Sequence, residues 1–188
     1  QISDDGKRIV TYSFKTGKQV EVLFDAATAR GANIRSVQGY IVSPDGRRLL
    51  IQTNTKPIYR HSFTADYYIF MIQNNKLEPL SDGGPQQTPV FSPDGNQIAF
   101  VRDNNIHLVK LLYDNAESQV TKDGKRNEVI NGIPDWVYEE EFSTNSSMVF
   151  SADSRQIVWI RYDETDVPQY SMQLFKGLVP EREAYRDY

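Results

Sequence analysis

Three consecutive carboxylates among bulky aromatic residues form the segment of this sequence with the most evident chemical use. Residues 135–142 read Asp-Trp-Val-Tyr-Glu-Glu-Glu-Phe. Because neighbouring carboxylates repel each other, a fold that holds two of them on one side needs a compensating positive charge. The segment is therefore a candidate cation-binding site, for a metal, an arginine or an ammonium group. The alternative is a solvated acidic face on a short helix, where runs of charge usually lie.

An internal repeat organises the rest of the chain. Residues 2–10, 42–50, 91–99 and 150–158 share one plan, in which a tight turn related to Ser-Pro-Asp-Gly joins two strands. Pro fixes φ for the turn, Asp can bond its own backbone, and Gly supplies the positive φ that ends it. The fourth copy has Ala152 and Ser154 in place of Pro and Gly. This departure leaves its turn type open.

The spacing of the repeat indicates the fold. Its serines follow one another after 40, 49 and 59 residues, and the segments between them alternate in the manner of strands, as in residues 67–72 and 157–162. Units of about 40 to 50 residues with four antiparallel strands are typical of β-propeller blades. The sequence therefore predicts an all-β fold: a partial β-propeller of about four antiparallel blades over residues 1–188, with the acidic segment inserted as a short helix.

The number of blades predicts that the chain is part of a larger propeller. About four blades are present, and residues 159–188 contain no further repeat that could close a ring. A closed ring of four blades is the alternative. An incomplete propeller leaves open sheet edges, which invite pairing with a second chain.

Composition narrows the possible partners. Hydrophobic residues make up 39% and aromatic residues 12% of the chain, enough for a core. The net charge of −4 argues against a nucleic-acid partner. The longest apolar run, residues 67–72, is far shorter than the roughly 20 residues of a membrane-spanning helix. Absence of cysteine excludes disulfides and thiol nucleophiles, and fits the cytosol or a cysteine-poor exported bacterial protein.

Residues for catalysis or metal binding are not expected in this chain. It contains no Gly-x-Ser-x-Gly nucleophile motif, and we expect no catalytic residue, metal or cofactor. His107 lies in an apolar stretch that predicts a half-buried strand histidine. Asp163, Glu164 and Asp166 lack the regular ligand spacing of a calcium loop. Asn145 begins a glycosylation sequon, which matters only in a protein secreted by a eukaryote.

Three segments carry a resemblance to a known family. Residues 132–142, Gly-Ile-Pro-Asp-Trp-Val-Tyr-Glu-Glu-Glu-Phe, resemble the double-glutamate segment of the dipeptidyl peptidase IV family of serine exopeptidases. Residues 59–67 resemble the Arg-His-Ser-Tyr-Thr-Ala region of that family, and residues 163–168 resemble the segment that closes the next hairpin. The three segments have the order and spacing found in that family, and the match extends across essentially the whole chain. One departure is that Phe142 and Ser143 follow the glutamates at once, where some relatives place another apolar residue.

The resemblance implies roles for individual residues. Glu140 and Glu141 would bind the free α-ammonium of a peptide, and Arg60 would contact the carbonyl of the residue before the substrate proline. An ammonium offers three donors, which two carboxylates can accept while they fix where the peptide begins. Loss of Glu139, the first of the three glutamates, would matter much less than loss of Glu140 or Glu141. Supporting roles fall to Glu139, Tyr138, Trp136 and His61.

The resemblance also implies a larger enzyme. It would have an eight-bladed N-terminal propeller, of which this chain is the first half, over a C-terminal α/β-hydrolase domain that lies outside residues 1–188. It would release X-Pro or X-Ala dipeptides from peptides with a free N-terminus, form a homodimer, and be exported to the bacterial periplasm or cell surface. Two alternatives stay open: a sister enzyme that releases tripeptides, and a non-enzymatic envelope propeller that binds protein partners. The second would leave the acidic segment exposed and unsupported by Arg60.

Overall fold

The computed structural model of the chain describes residues 1–176 and 179–185. Short strands dominate it, and one α-helix interrupts them. The elements are β1 (Arg8–Tyr12), β2 (Gln19–Asp25), β3 (Arg30–Gly31), β4 (Gly39–Val42), β5 (Arg48–Pro57), β6 (Phe63–Met71), a 3-10 turn (Ile72–Asn74), β7 (Lys76–Pro79), β8 (Gln87–Phe91), β9 (Gln97–Arg102), β10 (Asn105–Lys110), β11 (Ala116–Gln119), β12 (Val129–Asn131), α1 (Trp136–Phe142), β13 (Met148–Phe150), β14 (Ile157–Trp159), β15 (Arg161–Asp163), β16 (Tyr170–Lys176) and β17 (Val179–Tyr185).

The sheets follow the repeat. β4 to β7 form an antiparallel meander, to which β3 adds a parallel edge, and β8 to β11 form a second four-stranded meander. The first repeat contributes the β1–β2 hairpin, and the fourth contributes the pairs β12–β15 and β13–β14. The predicted all-β fold of antiparallel sheets with one inserted helix is confirmed. Among the described residues, no helix has the length and apolar character that a membrane span requires.

The core lies between successive sheets. Along β5, Leu49 and Ile51 pack into one cluster with Phe24 and Phe70, whereas Leu50 packs into the next cluster with Phe100. All three β5 side chains are fully buried. Because successive side chains of a strand point to opposite faces, the central sheets bury both faces. This stacking of sheets is the arrangement that propeller blades require.

All four repeat turns have the same hydrogen bonds. In each, the serine hydroxyl donates to the aspartate two residues later, at 2.5–2.6 Å. In the third turn the Ser92 hydroxyl holds the pKa of Asp94 below its ordinary value. The fourth turn, whose type the sequence left open, is the same turn: Ser154 has φ +62°, close to the +71° of Gly95 in the third turn.

Ser154 links two blades through the position where the other turns have glycine. Its hydroxyl accepts a hydrogen bond from the Asp94 backbone N–H at 3.0 Å, and its carbonyl accepts one from Gln97 Nε2 at 3.0 Å. Arg48 links the preceding pair of turns by donating to the Gly95 carbonyl at 3.1 Å. The serine therefore replaces the conformational freedom of glycine with a contact to the neighbouring blade.

We expect Ser154→Ala to lower the free energy of unfolding by about 1 kcal/mol, because Asp94 N–H loses its acceptor while a Cβ stays at positive φ. Ser154→Gly should cost less, since glycine adopts that φ without strain. Urea unfolding measures both. Ser143→Ala is the matched control, because Ser143 also has positive φ (+51°) and its exposed hydroxyl has no hydrogen bond to the described residues. Equal stability of Ser154→Ala and wild type would contradict the inter-blade role.

Candidate functional site

The acidic segment folds as the predicted short helix, α1. Asp135 caps its N-terminus, because its side chain accepts a hydrogen bond from the Tyr138 backbone N–H at 2.8 Å. Ser143, in the left-handed conformation, ends it. The helix lies between β12 and β13 and carries all three glutamates.

The three glutamates have different surroundings. Glu139 is only 1% exposed, the Glu140 side chain is 31% exposed, and Glu141 is exposed. Successive helical residues differ by about 100° in direction, so neighbouring identical residues cannot share one environment. A uniformly solvated acidic face therefore does not describe this segment.

Arg60 meets the second glutamate. Its Nε lies 2.7 Å from Glu140 Oε1 and 3.1 Å from Oε2, although the two residues are 80 positions apart. Arg60 is 71% exposed at its side chain, and exposed ion pairs contribute about 0–1 kcal/mol to stability. The pair is thus a weak element of the fold but an accessible one. Glu141 makes no hydrogen bond or ion pair to the described part of the chain.

Glu139 holds the loop that carries Arg60. Its Oε1 accepts hydrogen bonds from the backbone N–H groups of His61, at 2.7 Å, and Ser62, at 2.8 Å. Asn145 completes the contact by donating from Nδ2 to the His61 carbonyl at 3.0 Å. His61, predicted to support the site, is bound here through its backbone.

The aromatic residues pack the helix against its neighbours. The Tyr138 ring lies 5.4 Å from the Phe142 ring and 5.3 Å from the Tyr162 ring, which belongs to β15. Trp136 lines a cavity of about 140 Å³ together with Ser62, Glu139 and other residues. The structure therefore places both predicted supporting aromatics beside the glutamates.

Residues outside this cluster have structural partners. His107 lies on β10, as the pattern predicted, but it is more buried than expected, at 7% exposed, and stacks on Phe100. Burial lowers its pKa, with Arg102 acting in the same direction. Burial raises the pKa of Glu117, but hydrogen bonds from Ser81 and Arg102 outweigh it, so that pKa lies below its ordinary value.

The acidic residues within 163–166 also interact with other residues of the chain. Hydrogen bonds from Thr165 and Arg161 lower the pKa of Asp163 to about 2. Arg161 Nη1 lies 3.0 Å from Asp163 Oδ2, and its Nε lies 2.7 Å from Asp123 Oδ2. Asp163 therefore stabilises the C-terminal end of β15.

Asn145 supports this site through a contact that the sequence does not reveal. The sequence marks this residue only as the start of a sequon, and its contact with His61 spans 84 positions. The local signal was its place three residues beyond Phe142, where α1 ends. A fixed turn holds it there, in which Thr144 Oγ1 donates to the Ser146 carbonyl at 3.1 Å.

Comparison with known proteins identifies the family to which the chain is similar. The family profile described as the dipeptidyl peptidase IV (DPP IV) N-terminal region matches residues 43–187. A probable dipeptidyl-aminopeptidase B from Podospora anserina is 46% identical over 137 residues, 71% of this chain and 15% of that protein. One from Tuber melanosporum is 34% identical over 182 residues, 91% of this chain and 20% of that protein.

One solved structure is similar to this chain in both fold and sequence. The crystal structure of Porphyromonas gingivalis dipeptidyl peptidase 4 matches with a TM-score of 0.92 and 41% identity, over 98% of this chain and 26% of that one. The present chain thus spans 15–20% of the two curated relatives and about a quarter of the solved structure. The resemblance found in the sequence is confirmed, and the chain belongs to the dipeptidyl peptidase IV family as a portion of its N-terminal region.

Proposed function

We propose that this chain is the part of a dipeptidyl peptidase that binds the free N-terminus of a peptide substrate. The contact between Arg60 and Glu140 carries the proposal. It brings a guanidinium and a carboxylate from segments 80 residues apart to one accessible place, next to the exposed Glu141. The envelope-scaffold alternative expects an acidic segment unsupported by Arg60, and the contact argues against it.

The charges of this cluster suit an ammonium ligand. Glu140 and Glu141 carry two negative charges and Arg60 carries one positive charge, which leaves one net negative charge at the accessible surface. A peptide α-ammonium, with an ordinary pKa of about 7.7–8.0, is largely protonated at neutral pH and supplies the matching positive charge. Arg60 holds Glu140 through Nε, so its other N–H groups are candidates for the substrate carbonyl.

Binding the N-terminus in this way would determine which peptide bond is cleaved. If the ammonium is fixed at Glu140 and Glu141, the nucleophile can reach only the bond at a set distance along the peptide, and this defines an exopeptidase. We propose that the protein is a serine hydrolase that releases X-Pro or X-Ala dipeptides, with its nucleophile on a C-terminal α/β-hydrolase domain. Assembly as a homodimer and export to the periplasm or cell surface belong to the same proposal.

The test is the cleavage of Gly-Pro anilide by the full-length protein. We expect cleavage of the free-amine substrate and at least tenfold lower kcat/KM for its N-acetyl form, because acetylation removes the ammonium charge. The isolated chain 1–188 should be inactive, since it holds a binding site but no nucleophile motif. Equal cleavage of both substrates, or release of tripeptides in preference to dipeptides, would contradict the proposal.

A further inference from the structure

The loop that carries Arg60 has little sheet structure of its own. The β5–β6 ladder ends at the pair Pro57 and Phe63, and the five residues between them form the connection. One backbone hydrogen bond closes this loop, from Ile58 N–H to the Ser62 carbonyl at 2.9 Å. The direction of Arg60 must therefore depend on contacts from elsewhere in the chain.

Two side chains hold a single peptide group of this loop from both ends. In the peptide that joins His61 and Ser62, the carbonyl accepts from Asn145 Nδ2 at 3.0 Å, and the N–H donates to Glu139 Oε1 at 2.8 Å. A peptide group is planar, so fixing its carbonyl and its N–H fixes the orientation of the whole plane. The same Glu139 oxygen also binds the preceding N–H, which belongs to the peptide that begins at Arg60.

From this arrangement we propose that Asn145 is a positioning residue, which sets the direction of Arg60 by holding the His61 carbonyl. The inference rests on the proposed function, because Arg60 is taken to contact the substrate. Asn145 acts through Arg60 and makes no contact with the substrate itself. Asn145 and Glu139 bind opposite ends of one peptide group, and Glu140 binds the Arg60 side chain, so one segment of the chain determines both the loop and the guanidinium.

The side-chain type matters at this position. A carbonyl needs a donor, which the asparagine amide supplies. Aspartate has nearly the same shape but only acceptor oxygens when ionised, so Asn145→Asp would set a carboxylate oxygen against the His61 carbonyl. Alanine removes the group altogether. Both substitutions therefore remove the hydrogen bond, but only Asn145→Asp adds a repulsion.

The experiment is a double-mutant cycle in the full-length protein, with Gly-Pro anilide as substrate. Production in a host without N-glycosylation keeps the Asn145 sequon unmodified. We expect Asn145→Ala to lower kcat/KM about tenfold and Asn145→Asp to lower it further. In the Arg60→Ala background, the same substitutions should lower kcat/KM less than twofold, because the residue through which Asn145 acts is gone. Asn33→Ala, at an exposed asparagine without hydrogen bonds to the described residues, should match wild type.

The outcomes separate this inference from the proposed function. If Asn145 had only a structural role, its substitution would lower kcat/KM by the same factor in both backgrounds and would also lower the melting temperature. That result would overturn the positioning role. Wild-type activity of both Asn145 variants would overturn it as well. If Asn145→Ala does not fold, the nearly isosteric Asn145→Asp completes the cycle. Loss of discrimination between free and acetylated substrate by the wild-type protein would instead refute the proposed function, and this inference with it.

Discussion

Glu140→Ala and Glu141→Ala are each expected to lower kcat/KM for dipeptide release by about 30-fold to several thousand-fold in the full-length protein. Removing one partner of a hydrogen-bonded charge pair costs about 2–5 kcal/mol, and about 1.4 kcal/mol corresponds to a factor of ten in rate. Either substitution also removes the net negative charge that matches the ammonium. Steady-state kinetics with Gly-Pro anilide measure the effect.

The stability of these two variants should stay close to that of wild type. Glu140 pairs with a largely exposed Arg60, and Glu141 is exposed, so neither contributes much to folding. Glu21→Ala, at an exposed glutamate on β2, is the matched control for loss of one surface charge. The N-acetyl substrate should be poor for wild type and both variants alike. Near wild-type kcat/KM for the free-amine substrate would leave the pair as ordinary surface charge.

Local sequence predicted the elements of this site but not their orientation. The acidic segment, its helix and its link with Arg60 were accessible from residue types and from the family resemblance. Which glutamate turns inward was not, because three identical neighbours on a helix differ only in how that helix docks on the sheets. The contact that buries Glu139 lies 77 and 78 positions away in sequence. Such contacts have no local signal.

The repeat turns show the same limit. Their pattern predicted strand, turn and strand correctly, and with them the stacked sheets. In the fourth turn, Ser154 looked like a degraded copy of glycine, because a turn by itself has no use for that hydroxyl. Its purpose becomes visible only when the third turn lies beside it and Asp94 N–H needs an acceptor. Departures from a repeat can therefore report contacts between its copies.

Burial of Glu139 changes the expectation drawn from the family resemblance, in which its loss would matter much less than loss of the other two glutamates. Glu139→Ala leaves the N–H groups of His61 and Ser62 without their acceptor, and Ser62 is only 8% exposed. Hydrogen bonds to charged groups contribute about 1.5–3 kcal/mol each. We expect the free energy of unfolding to fall by about 2–4 kcal/mol, less than two such bonds in full because water can reach the half-buried His61 N–H. We expect kcat/KM to fall at least tenfold as the Arg60 loop loses its support.

Glu139→Gln is the control that separates geometry from charge. Glutamine keeps an oxygen at the same distance from the backbone, so it can still accept from both N–H groups, but these become weaker neutral hydrogen bonds. Its cost in unfolding free energy should be about 1 kcal/mol, and kcat/KM should stay within a few-fold of wild type. Urea unfolding and steady-state kinetics on the same preparations provide both numbers. If Glu139→Ala is as stable and as active as Glu139→Gln, the carboxylate does not hold the loop, and Arg60 must be positioned by other contacts.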